Sequence, residues 1–153
     1  MSAVLSEQLR CVPMTEDDLD TVAAMESMLY EFPWSRGNFN DSLVAGYSTW
    51  TFRLGAALLG YAVMMLVLDE AHLLNISVHS AWQRRGYGRM LLGHLEAVAR
   101  RSGAHCVFLE VRPSNVSGRG LYAGSGYRQI GVRRGYYPSA WGREDALVLR
   151  KDL

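Results

Sequence analysis

The chain has 153 residues, of which 49% are hydrophobic and 20% are charged, and this composition is typical of a globular protein with a single domain, 1–153. Its formal net charge of +1 provides no overall attraction for DNA or for a membrane surface.

The sequence also bears on membrane spans, targeting and metals. The longest nearly uncharged apolar run, 54–68, is too short to span a bilayer, and residues 1–10 lack the basic and apolar regions of a signal peptide. Cys11 and Cys106 are the only cysteines, and neither has a second ligand residue at metal-binding spacing. We therefore expect a cytoplasmic protein with reduced thiols, no metal and no membrane association.

The first third of the chain predicts one strand and two helices. Residues 9–14 are predicted as a short strand. A helix should follow from an N-cap at Thr15 to about Tyr30, because apolar residues recur there at helical spacing. Pro33 ends this segment, and Ser35 is the predicted cap of a second helix that runs through residue 43.

The middle of the chain predicts three strands and a long helix. Two strands are predicted over 48–53 and 56–68, on either side of a turn at Gly55, because apolar residues alternate or are continuous there. A third strand is predicted over 70–78. The helix is predicted over 89–102, with Gly103 at its C-terminal end.

The last third predicts a strand, a short helix and two strands. A strand is predicted over 105–112, a helix begins at Asn115, and strands at 127–136 and 144–151 flank a loop at 137–143. The order is therefore β-α-α-β-β-β-α-β-α-β-β. Because a crossover helix joins 70–78 to 105–111, these two strands should pair in parallel. The predicted class is α/β, with a mixed sheet and helices on both faces.

The segment around which this chain is organised joins the strand at 70–78 to the helix that follows it. Gly86 and Gly88 lie just before that helix, beside Arg84, Arg85 and Arg89. Glycine lets the backbone approach a ligand, and the amides of a helix N-terminus attract phosphate. The alternative is a tight turn with solvated arginines. A P-loop is excluded, since Gly-Lys-Ser/Thr is absent.

Two further residues could carry chemistry. Glu110 interrupts an otherwise apolar face of its strand, where a carboxylate must be paired or used. The structural alternative is an ion pair, for which Arg112 is the nearest choice. Tyr122 lies in the helix after Asn115, and the alternative is a core tyrosine with a satisfied hydroxyl.

The segment Gln83-Arg84-Arg85-Gly86-Tyr87-Gly88 resembles the Gln/Arg-x-x-Gly-x-Gly/Ala loop of the GNAT N-acetyltransferases. The pattern Asn115-x(6)-Tyr122-x(3)-Gly126-Tyr127 is similar to that of the same family. The resemblance implies the GNAT (acyl-CoA N-acyltransferase) fold with seven strands, and acetyl-CoA as co-substrate. It also implies a direct attack by an amine, with Glu110 as base and Tyr122 as acid.

Several stretches resemble one GNAT branch, the RimI-type N-terminal alanine acetyltransferases. They include Phe32-Pro33-Trp34-Ser35, Leu109-Glu110-Val111-Arg112 and Gly142-Arg143-Glu144-Asp145-Ala146. This resemblance implies that the substrate is the N-terminal alanine of the eighteenth small-subunit ribosomal protein. The acetyl-CoA contacts carried over are Ile76, Ser77, Val78, Arg84, Arg85, Gly86, Tyr87, Gly88, Arg89 and Asn115. The peptide contacts carried over are Trp34, Tyr136 and Tyr137.

Two positions depart from the branch. His79 replaces a usual Asp, and Gly135 replaces a common Asn and could change the shape of the peptide groove. Two other functions stay open: a GNAT that acetylates a small amine or lysine, and a catalytically silent acyl-CoA-binding or RNA-binding module. The sequence is compatible with a monomer and does not determine the oligomeric state.

Overall fold

The computed structural model of the chain describes residues 8–153, so most of the segment considered for a signal peptide lies outside the described residues. The strands and helices are β1 (Leu9–Pro13), α1 (Leu19–Leu29), α2 (Arg36–Val44), β2 (Ser48–Leu54), β3 (Ala57–Val67), β4 (Glu70–Val78), α3 (Tyr87–Arg101), β5 (Cys106–Val111), α4 (Val116–Gly124), β6 (Arg128–Ser139) and β7 (Gly142–Asp152). Two short 3-10 turns, Glu16–Asp18 and Ser80–Trp82, complete the set. Over 8–153, no helix combines the length and the apolar character that a bilayer crossing requires.

The seven strands form one sheet in the order β1-β2-β3-β4-β5-β7-β6. The predicted parallel pairing is confirmed over Glu70–Leu73, which align with Cys106–Leu109. β5 pairs antiparallel with β7, and β7 with β6. The mixed α/β sheet and the predicted order of elements are therefore confirmed.

The chain divides into two compact units, each with its own buried side chains. Among the described residues, the first comprises those from 8 to 63 together with Asn75–Leu91, and the second comprises Met64–Leu74 and Leu92–Leu153. Fully buried side chains of the first unit include Leu19, Val22, Phe39, Phe52 and Tyr61. Those of the second include Leu95, Ala99, Val107, Leu109 and Ala146. The prediction that 1–153 behaves as one domain stays a prediction.

Helix starts follow the predicted caps with two shifts. Ser35 caps α2 as predicted, since its hydroxyl accepts a hydrogen bond from the Asn38 amide at 3.1 Å. Thr15 instead precedes a 3-10 turn, and α1 starts only at Leu19. α3 starts at Tyr87, two residues before the predicted Arg89, because the loop ends at Gly86 with a φ of +86°.

The predicted loop over 137–143 is wrong. Tyr137, Pro138 and Ser139 belong to β6 and pair with Glu144, Arg143 and Gly142 of β7. Proline lacks an N–H donor and is tolerated on an edge strand, and β6 is the last strand of the sheet. The two strands therefore continue almost to the tip of their hairpin.

Candidate active site

An imidazole and a guanidinium of the second unit bind the Glu110 carboxylate. Its side chain is 7% exposed, Nε2 of His72 lies 2.5 Å from Oε2, and Nε of Arg133 donates to Oε1 at 3.0 Å. The structural alternative, an ion pair of Glu110, is confirmed, but its partners are Arg133 and His72 rather than Arg112. Arg112 donates to the Glu144 carboxylate at 3.0 Å, since β7 places that carboxylate within its reach.

The surroundings of Glu110 act on its pKa in opposite directions. Burial raises the pKa of this carboxyl, but the hydrogen bonds and charges of His72 and Arg133 outweigh burial and hold the pKa below its usual range. Glu110 is therefore an ionised carboxylate at neutral pH. Both of its oxygens already accept a hydrogen bond.

Tyr122 lies in α4, and 8% of it is exposed. Its ring makes a tilted edge contact with Tyr127, with centroids 5.8 Å apart. Asn115 caps α4, because its side-chain oxygen accepts from the Gly118 amide at 2.9 Å. The positions of Tyr122 and Asn115 fit the predicted pattern, and their roles in catalysis and acetyl-CoA binding stay predictions.

The loop before α3 presents exposed cationic side chains on a defined backbone. Arg84, Arg85 and Arg89 are exposed, and Arg84 and Gly86 have φ angles of +63° and +86°. The Gln83 side-chain amide donates to the Val78 carbonyl at 2.9 Å and ties the loop to the end of β4. The first amides of α3 have no acceptor within the helix, so a phosphate group fits this loop by charge and by hydrogen bonding.

The end of β4 belongs to a buried network in the first unit. Ser77 donates to the Asn75 side-chain oxygen at 2.8 Å, and its hydroxyl lies 2.6 Å from the Tyr30 hydroxyl. Its main chain lies so close to β3 that a Cβ on Gly60 would sit 2.3 Å from the Ser77 carbonyl oxygen. These contacts fix the backbone at Ile76, Ser77 and Val78, the predicted acetyl-CoA contacts.

The centre of this network, Glu26, was missed from the sequence. It is 2% exposed and accepts from the Tyr61 hydroxyl at 2.8 Å, the Asn75 amide at 3.2 Å and the Trp34 main chain at 2.9 Å. Glu26 lies four residues after Val22 and so on the apolar face of the helix. A carboxylate on that face was a signal that could have identified it.

The predicted peptide contacts have distinct surroundings. The Trp34 ring packs 5.2 Å from Phe39. In the second unit, Tyr136 is 45% exposed, while the Arg112 guanidinium lies 4.3 Å from the centre of the Tyr137 ring. Burial, followed by the charge of Glu110, raises the pKa of Tyr137, which therefore stays protonated at neutral pH.

His79 and Gly135, the two residues that depart from the branch pattern, both fit the conformation of the local backbone. His79 accepts a hydrogen bond from the Ala81 amide at 3.0 Å and caps the 3-10 turn, as an Asp could. Gly135 has a φ of +59°, and glycine and asparagine are the residues that adopt this conformation most readily. Its amide donates to Asp145 at 2.8 Å.

The two units therefore hold different groups of predicted site residues. The first holds Trp34, Ile76–Val78 and the loop residues Arg84–Arg89. The second holds Glu110, Asn115, Tyr122, Tyr136 and Tyr137. His72 and Arg133 join Glu110 in the second unit and were not predicted as its partners.

Known proteins resemble this chain over most of its length. The sequence model of the Acetyltransferase (GNAT) family matches residues 13–127. The chain is 36% identical over 132 residues to the [Ribosomal protein bS18]-alanine N-acetyltransferase of Escherichia coli K12, covering 86% of this chain and 89% of that protein.

Solved structures agree with this result. The crystal structure of the ribosomal-protein-S18-alanine N-acetyltransferase from Escherichia coli superposes with a TM-score of 0.87 at 33% identity, covering 95% of this chain and 94% of the other. The NatC complex bound to Gag peptide and CoA contains a chain with the same fold, at a TM-score of 0.83 and 16% identity over 95% of this chain and 99% of that one. The resemblance predicted from the loop and from the C-terminal stretches is confirmed, and the chain belongs to the GNAT family of acetyltransferases.

Proposed function

We propose that this protein transfers the acetyl group of acetyl-CoA to the α-amine of the N-terminal alanine of ribosomal protein bS18. The observation that carries the proposal is the 36% identity, over 86% of the chain, to a bS18-alanine N-acetyltransferase. The proposed site of action is the cytoplasm, on a peptide segment and without DNA or a membrane.

The loop before α3 is the proposed binding site for the pyrophosphate of acetyl-CoA. Arg84, Arg85 and Arg89 supply positive charge, and Gly86, Tyr87 and Gly88 supply main-chain amides at the start of α3. Ile76, Ser77 and Val78 would hold the pantetheine and acetyl end, and Asn115 would contribute from the start of α4. Bound acetyl-CoA supplies the activated acetyl thioester. No metal has a part in this proposal.

Acetyl transfer requires that one proton leaves the amine and that one proton is supplied to the departing sulfur. An α-amine has a pKa near 8, so most of it is protonated at neutral pH and cannot attack a carbonyl carbon. Glu110 is the proposed base, directly or through water, because it is ionised and mostly buried. Tyr122 is the proposed acid that protonates the departing sulfur, whose conjugate acid has a pKa of about 8.5.

Aromatic side chains would receive the peptide. Trp34, Tyr136 and Tyr137 are the proposed contacts. The ring of Tyr137 is held in place by Arg112, and the exposed Tyr136 packs against it with centroids 4.8 Å apart. This pair offers a rigid apolar surface with hydroxyl groups, which suits a short extended peptide.

The test is release of free thiol from acetyl-CoA by the purified protein with a synthetic peptide copied from the bS18 N-terminus. We expect rapid release and a single acetyl group on the α-amine, located by tandem mass spectrometry. The matched control is the same peptide with its α-amine already acetylated, which should give no release. If the control peptide is turned over equally fast, the acetylated group is a lysine. If small amines react faster than the peptide, the protein is a small-molecule acetyltransferase. If no acceptor gives thiol release, the protein is a silent binding module.

A further inference from the structure

His72 and Glu110 come together because of the register between two parallel strands. His72 aligns with Phe108, and Glu110 lies two residues further along β5 on the same face of the sheet. The contact joins Nε2 of the imidazole to Oε2 of the carboxylate at 2.5 Å. Within residues 8–153, this carboxylate is the only hydrogen-bond partner of the His72 ring.

Glu110 alone is a weak base for the proposed reaction. Its carboxyl pKa lies below the ordinary 4.5, because His72 and Arg133 outweigh the effect of burial. Moving a proton from an α-ammonium with a pKa near 8 to such a carboxylate is unfavourable by a factor of about 10³ or more. Both Glu110 oxygens are also already engaged, Oε2 by His72 and Oε1 by Arg133. The imidazole contacts Glu110 through Nε2 only, so its Nδ1 is the nitrogen left to accept a proton.

We propose that His72 accepts the proton of the peptide α-amine in place of Glu110, which instead fixes the tautomer of the ring. This inference rests on the proposed acetyl transfer and changes only the identity of the base. Nε2–H donates to Glu110, so the lone pair of the neutral ring is on Nδ1. One proton passes from the α-ammonium, through water, to Nδ1, and the nitrogen lone pair becomes free to attack. The nitrogen bonds to the acetyl carbon and the carbon–sulfur bond breaks. The second amine proton replaces the one that Tyr122 gives to the sulfur, and the imidazolium returns the first proton to solvent.

The surroundings of His72 suit this role. Its side chain is 25% exposed, so water reaches the ring, while Glu110 is only 7% exposed and keeps its orientation. Two further ionisable groups face the pair from β6: Arg133, which bonds to the second oxygen of Glu110, and Tyr137, whose hydroxyl stays protonated. From β7, the Arg150 guanidinium lies 5.1 Å from the ring centre of Phe108, the residue aligned with His72. Arg133 thus keeps Glu110 ionised and able to accept the Nε2–H of His72.

The test compares His72→Gln with wild type. A glutamine amide can still donate to Glu110 but cannot accept a proton near neutral pH. We expect kcat with the bS18 peptide to fall about 10²- to 10³-fold at pH 7, with KM for acetyl-CoA within about twofold. The acidic limb of the pH profile of kcat/KM should also disappear. The matched control is His105→Gln, because the His105 side chain is 78% exposed and lies outside the proposed machinery.

An unchanged kcat and pH profile in His72→Gln would overturn the inference, while wild-type turnover would keep the proposed function intact. A second measurement does not depend on turnover. Nitrogen-15 shifts of the imidazole, assigned by their loss in His72→Gln, should show the Nε2–H tautomer at pH 8. A proton on Nδ1 instead would overturn the inference even if the protein acetylated no peptide at all.

Discussion

Two buried glutamates illustrate how surroundings decide what a carboxylate does. Glu26 in the first unit accepts from a tyrosine hydroxyl, an asparagine amide and a main-chain amide, all of them neutral donors. Glu110 in the second unit faces an imidazole and a guanidinium. Neutral donors fix Glu26 as a junction between α1, β3, β4 and the Trp34 segment. The imidazole of His72 and the guanidinium of Arg133 hold Glu110 in place as a negative charge.

The difference suggests different consequences of mutation. Substitution of Glu26 should mainly lower the free energy of unfolding, because it leaves buried donors without an acceptor. Substitution of Glu110 should mainly lower the rate of acetyl transfer, because its partners are partly exposed and can be solvated.

The largest effect is expected for Glu110→Gln. The neutral amide removes the charge that supports proton removal, so acetylation of an Ala-initiated peptide should slow by about 10²–10⁴-fold. Steady-state thiol release measures it, with the thermal midpoint as the folding control. An unchanged rate would remove Glu110 from the mechanism and would leave the two glutamates equivalent.

Glu26→Ala should lower the free energy of unfolding by about 3 kcal/mol. The Tyr61 hydroxyl and the Asn75 amide would lose a buried acceptor, and burial together with Glu26 now raises the pKa of Tyr61. Urea titration followed by tryptophan fluorescence gives this value. The control is Asp20→Ala, which removes a carboxylate of the same helix whose side chain is 85% exposed. A similar loss in both variants would contradict the role given to Glu26.

Tyr122→Phe should reduce turnover more than acetyl-CoA affinity. Without a proton donor for the sulfur, we expect kcat to fall about 10²-fold, or about 2.7 kcal/mol in activation free energy. Calorimetric titration with acetyl-CoA measures affinity separately. If affinity alone falls, the hydroxyl is a binding group only. Tyr127→Phe provides a comparison, since the Tyr127 hydroxyl is engaged by Glu96 at 2.8 Å.

The smallest expected effect is on acid stability. Because the folded protein holds the Glu110 pKa below 4.5, this carboxylate stabilises the fold above that pH, and the contribution is lost as the pH falls through the lowered value. Glu110→Gln should therefore flatten the decline in unfolding free energy below about pH 4.5. Denaturant titrations between pH 3 and pH 7 test it. Identical slopes in both proteins would show that Glu110 has no such role.

Much of the fold could be predicted because its signals are local. The spacing of apolar residues predicted the order of strands and helices. Ser35 predicted the start of α2, and the crossover helix predicted the parallel pairing. Glu110 could also be found, as the one acidic residue on an otherwise apolar face. The GNAT family was identified from the loop and is confirmed by the comparisons.

What could not be predicted depends on contacts between distant strands. Arg112 was the candidate partner in the alternative of an ion pair, because side chains two residues apart share a face of a strand. The observed partners come from β4 and β6, and only the register of the sheet brings them to Glu110. The prediction of a loop over 137–143 was wrong for a related reason. Pro138 lies on an edge strand, where a proline does not prevent pairing with the neighbouring strand.

The close approach of Gly60 to the Ser77 carbonyl has a practical consequence for engineering. Any side chain at residue 60 would push directly against the main chain of β4, where the acetyl group is proposed to bind. Combinatorial libraries aimed at new acyl donors should therefore keep residue 60 invariant.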